Sequence, residues 1–387
     1  MKTLLRIAVN TAFVLFIGTA AFAQRYTETK LVSNTSGVAE VTDPQLVNPS
    51  GFTRTSGSPW WVSDNQTGFA TLYNGVGVKQ SLIVTIPPAD PKNKQTPTGS
   101  PTANISNSSL TDFLLAPGDP AIFIFVTADG TIAAWNQNVG LAQGAAPPST
   151  HAVTVVKTSD GSVYTGLTSG FIENKTYLYA ANFAKGRVDV YDNAFHPVDL
   201  SGEGDAFVDN NLPRDFMPFN VQNIGNNIVV TYALHQPGEP FETDGPGLGY
   251  VDIYSTSGRL LQRLEHGNWL NAPWGVALAP LDFGRFSHQL LVGQFAGGGT
   301  TESSGNIAAY DLATGKFDGL LQDANGAPLS INGIRALSPA NVAPANADPD
   351  EAPAAEVYFT AGPNNRTGGL FGYLNAVSTD LTEGNAQ

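Results

Sequence analysis

Six times along the chain, a short β-prone run leads through a turn into an aromatic run. A small polar loop and glycine follow, then a third run closing on an aromatic residue and Asp or Asn. The unit reads "WWVSDNQTGFATLYN" at 60–74, "IFIFVTADGTIAAWN" at 122–136 and "YLYAANFAKGRVDVYDN" at 177–193. It returns within 228–256, 290–312 and 357–375, with starts about 50 to 70 residues apart. Each run is rich in Val, Ile, Tyr and Phe and is bounded by Gly, Asn and Asp, the marks of strands. Four strands per unit, repeated six times, predict an all-β, six-bladed β-propeller with four-stranded blades.

The predicted blades cover about 48–87, 110–158, 163–200, 216–266, 271–322 and 331–375. The sixth unit has only three strands. "TETKLVSN" (27–34) belongs to no unit of its own, so this N-terminal strand is expected to complete blade six. The chain has no cysteine, and such a closure holds the ring without a disulfide. Only 13% of residues are charged, and 41 Gly with 26 Pro supply turns rather than helices.

Residues 1–23 read as a signal peptide. Lys2 and Arg6 precede an apolar stretch, and "AFA" at 21–23 is a small-residue cleavage site. Residues 24–387 then form one propeller domain, secreted to the periplasm or the extracellular space, with no membrane span after cleavage. Removing the leader lowers the 19 basic residues to 17 against 33 acidic, a net charge of −16. So acidic a chain repels phosphate backbones, which argues against nucleic acid as a partner.

Segments 87–109, 296–305 and 339–355 are polar or Pro-rich and read as surface excursions. Segment 235–249, "HQPGEPFETDGPGLG", mixes aromatic, acidic and glycine residues. No nucleophile elbow, zinc-protease helix, P-loop or EF-hand loop occurs.

In a propeller, the loop leading into each inner strand and the loop joining strands two and three share one face. The lead-in loops place Asn48, Asn220, Asn271 and Asn332 there. The second set places Asp64, Asn65, Asn182, His235, Asn364 and Asn365. Asp64, Asn182, Asn271 and Asn364 could offer oxygens to Ca2+ or another divalent cation, and Asp64 is the best candidate for a catalytic acid or base. The same side chains could bind a small molecule, a glycan or a protein at the central mouth. Asparagine also stabilises turns by bonding its own backbone, so the structural role stays open for each. In "NAPWGVALAP" (271–280), Pro273 fixes the approach, Gly275 allows close passage and Trp274 is expected to pack between blades.

The stretches "NPSGF", "YLYAANFAKGRVDVYD", "PFNVQNIG", "GPGLGYVDIY", "LNAPWGVALAP" and "YFTAGPNNRTGGLFG" resemble a functionally uncharacterised family of secreted bacterial β-propeller proteins. Some of its members carry a C-terminal PEP-CTERM sorting tail, which "VSTDLTEGNAQ" does not match. More distantly, the blades are similar to NHL-repeat and gluconolactonase-type propellers. The latter likeness implies a divalent metal at the mouth held by Glu, Asn and Asp, although "NPSGF" offers no Glu. Two functions follow: a monomeric binding or scaffold module of the envelope or extracellular space, or a divalent-metal-dependent lactonase-like hydrolase using a metal-bound water.

Overall fold

The computed structural model describes residues 24–202, 205–296, 305–340 and 355–377. The leader, most of the 296–305 and 339–355 segments and the C-terminal tail lie outside them. The described residues are all-β and form six four-stranded antiparallel units arranged as a propeller. From the axis outwards, blade one runs Pro49–Thr53, Trp60–Asp64, Phe69–Tyr73 and Val84–Thr85. Blade four, with the longest strands, runs Phe216–Ile224, Asn227–Leu234, Gly249–Ser255 and Leu260–Arg263.

Blade six starts at Ile334–Pro339 and is completed by the N-terminal strand Tyr26–Ser33, which pairs antiparallel with Leu370–Ala376. Val41–Thr42 adds a short parallel edge to it. Tyr26 locks the closure. Its amide donates to Gln322 O (2.8 Å), and its ring lies 4.9 Å from Phe283 and 5.9 Å from Phe286.

One strand falls where the polar composition argued against it. The inner strand of blade two is Pro101–Ser106, inside the segment read as a surface excursion, so this blade begins before residue 110. Thr102 and Asn104 are buried in it. Their donors are bonded, Thr102 Oγ1 to Val126 O (3.2 Å) and Tyr164 O (2.7 Å) and Asn104 Nδ2 to Trp61 O (2.9 Å), while Asn104 Oδ1 is buried without a partner among the described residues. A buried donor so paired avoids the desolvation cost that makes such strands rare.

Most of the core is divided between neighbouring blades. Blades one and two meet through Trp61, stacked 4.0 Å from Phe123. Blades six and one meet through Trp60 and Tyr358, 4.9 Å apart. Among the described residues, no helix is long and apolar enough to cross a membrane.

Candidate functional site at the propeller mouth

The motif that opens blade five recurs in all six blades as a break in strand register. Pairing between strands one and two slips at Pro49/Phe52, Pro101, Tyr164/Gly166, Pro218/Asn220, Pro273/Val276 and Ile334/Leu337. Such bulges bend a strand and re-aim its side chains. The residue after each leading position is Ser50, Thr102, Thr165, Phe219, Trp274 or Arg335. The following position is small in most blades because inner strands crowd at the axis: a Cβ on Gly275 would lie 2.0 Å from Arg335 O, and one on Gly51 2.5 Å from Ala103 Cα.

The ring is therefore lopsided. Blades one to three supply small hydroxyls, each bonded to backbone: Ser50 to Asn48 O (3.4 Å), Thr102 as above, Thr165 to Ala181 O (3.5 Å). Blades four to six supply Phe219, Trp274 and Arg335. Phe219 and Trp274 join Phe183, Ala233, Ala272 and Phe295 in one apolar cluster. Trp274 thus packs between blades as expected, in a cluster drawn from blades three, four and five, and its Nε1 has no partner among the described residues.

Arg335 stands beside this cluster, with 8% of its surface exposed. Its guanidinium carbon lies 4.2 Å from the Phe295 ring centre. Nε and Nη2 donate to Asn48 Oδ1 at 3.3 and 3.1 Å. Asn48 Nδ2 in turn donates to Asn65 Oδ1 (3.0 Å), and Asn65 Nδ2 to Pro101 O (3.3 Å). No carboxylate among the described residues forms an ion pair with Arg335. Burial, with repulsion from Arg366, lowers its pKa to about 9 against the opposing pull of Glu242.

Arg366 closes the rim. Its guanidinium carbon is 4.0 Å from the Phe241 ring centre and 5.3 Å from that of Phe295, and it pairs with the buried Glu242. Asp244 lies on the same loop. Burial and the charge of Glu242 raise its carboxyl to about 7, against the pull of Arg366, and its Oδ1 is buried without a partner.

The residues expected at the mouth divide three ways. Asn48, also buried, and the half-buried Asn65 are joined by a hydrogen bond and reach Arg335 through Asn48. Asn220, Asn182, Asn271 and Asp64 are buried brackets. Asn220 Nδ2 bonds Trp274 O (2.6 Å) and the residue lines an axial cavity of about 100 Å3. Asn182 Nδ2 bonds Asp189 Oδ2 (2.7 Å) and Ser162 Oγ (2.9 Å). Asn271 Oδ1 accepts from the Gly245 amide (2.8 Å), pinning the 235–249 loop. Asp64 accepts from Thr71 Oγ1 (2.7 Å), and burial raises its pKa well above the carboxylate range.

The remaining four sit at the surface or the rim. Asn332 is exposed. Asn364 and Asn365 are exposed in a left-handed turn (φ 55° and 52°) that carries Arg366 inward. His235 lies with its ring 4.6 Å from Phe183 and its Nε2 2.8 Å from Glu239 O. The four proposed metal ligands thus stand in four separate settings. Among the described residues, no three of His, Asp and Glu form a metal-holding group.

Sequence reasoning missed Arg335, Arg366, Glu242, Asp244, Phe295 and Phe241. Aligning the six lead-in motifs on the residue before the bulge was the signal that could have found Arg335.

No family model matches the chain. It is similar to two uncharacterised proteins of Acanthamoeba polyphaga mimivirus. One is 27% identical over 349 residues, spanning 89% of this chain and 78% of that protein. The other is 29% identical over 352 residues, spanning 89% and 84%. The sequence resemblance implied bacterial kin; these relatives are viral. A solved streptogramin B lyase aligns with a TM-score of 0.47 at 12% identity, covering 92% of this chain and 98% of that one. At that identity the likeness says nothing of activity.

Proposed function

We propose that the chain is a binding propeller whose ligand site is the central mouth. The supporting observation is the bulge ring, which gathers Phe219, Trp274 and Arg335 from three blades around Phe295. An apolar floor with a few placed polar groups is the usual makeup of a small-molecule site. The metal-dependent hydrolase reading has no comparable convergence behind it. Secretion and a monomeric state belong to this proposal, the first resting on the leader.

Trp274 makes the site readable by fluorescence. A screen of small molecules, glycans and peptides is expected to yield a ligand that shifts tryptophan emission. Replacing the exposed rim residue, Phe241→Ala, should weaken that ligand about tenfold, the loss of one aromatic contact. A ligand whose affinity is untouched by Phe241→Ala would place the site elsewhere.

A further inference from the structure

Arg335 is a buried cation whose hydrogen-bond acceptor among the described residues is a neutral amide oxygen, that of Asn48. A guanidinium taken out of water costs several kcal/mol unless an anion repays it. Arg366, the other arginine of the mouth, has that need met by a carboxylate of the chain, Glu242. Arg335 receives no such partner among the described residues. The charge of Arg366 presses on it, and Glu242, already paired with Arg366, offsets this only from a distance without contacting it.

We infer that the missing counterion is the ligand's, and that the mouth takes a monoanionic carboxylate on a flat apolar body. This deepens the reading of the mouth as a binding site and rests on it. A carboxylate matches the planar donor fork of arginine, and the ligand body would lie against the exposed ring of Phe241 at the rim, because Phe219, Trp274 and Phe295 are buried beneath it. Glu242 and Asp244 beside Arg366 set the charge limit. Two carboxyl groups at the rim oppose a dianion such as phosphate more than a single carboxylate.

Calorimetry on the purified protein with benzoate, benzamide and inorganic phosphate tests this. Benzoate should bind, with benzamide and phosphate at least about 30-fold weaker. Arg335→Met should weaken benzoate by at least about 30-fold, the loss of a buried charged hydrogen-bond partner. Arg335→Lys keeps the charge without the fork and should weaken it about tenfold; it decides the matter if the methionine variant does not fold.

Equal binding of benzoate and benzamide, insensitive to Arg335→Met but reduced by Phe241→Ala, would overturn the carboxylate while leaving the mouth as a site. Phosphate binding as tight as benzoate would overturn the monoanion. No binding of any probe would overturn the inference. If Phe241→Ala also left every ligand from the fluorescence screen unaffected, the mouth reading would fall with it.

Discussion

Asp252, in the third strand of blade four, is 1% exposed. One carboxylate oxygen lies 3.3 Å from the Tyr254 hydroxyl, which also meets that of Tyr232 at 2.7 Å; the other has no partner among the described residues. Nearby Asp209 binds Arg263, which holds Asp209 below the usual carboxylate range. Burial and the charge of Asp209 push Asp252 up to about 7. Its folded pKa is thus above its unfolded value. Its contribution to stability is complete below about pH 4 and is lost as pH rises through about 7. Asp252→Asn should therefore be more stable than wild type at pH 8, by about 1–3 kcal/mol. Asp244 titrates in the same window with the same sign, so the variant should reduce rather than abolish the fall between pH 5 and 8. Urea denaturation at both pH values measures it; an unchanged slope would contradict the assignment.

The same scale shows what single residues conceal. Asn271 and Asn182 look alike in sequence to Asn48, yet only Asn48 of the three touches the mouth's arginine. Residue type does not say whether an amide braces a loop or faces an opening. Arg335 was hidden differently. Within "INGIR" the asparagine drew the reading, while the arginine occupies the bulge position that in blade five holds Trp274.

At the scale of elements, the strands with aromatic and β-branched side chains were legible, as was the N-terminal strand that completes blade six. Pro101–Ser106 was not. Its sequence, "PTANIS", is polar, and it earns its inner position through hydrogen bonds that only the tertiary fold supplies. The closing strand carries a prediction of its own. Tyr26 packs on Phe283 and Phe286 and donates to Phe283 O at 3.1 Å. Tyr26→Ala should destabilise the protein by about 3–5 kcal/mol, the cost of removing a buried aromatic ring. The exposed neighbour Thr27→Ala should stay within about 0.5 kcal/mol of wild type. Equal denaturation midpoints for the two variants would mean that the seam does not hold the ring.

For the whole molecule, blades are repeated but the mouth is not symmetric. Three blades turn hydroxyls back into their own backbones; three present two aromatic rings and a cation. That asymmetry, in a chain of strongly acidic composition, places a buried arginine among the described residues of the mouth. The most direct test is a crystal structure of the protein grown with benzoate. The account predicts the carboxylate hydrogen-bonded to the Arg335 guanidinium, with its ring against Phe241. A mouth free of ligand, with Arg335 paired instead to a carboxylate of the chain itself, would contradict it.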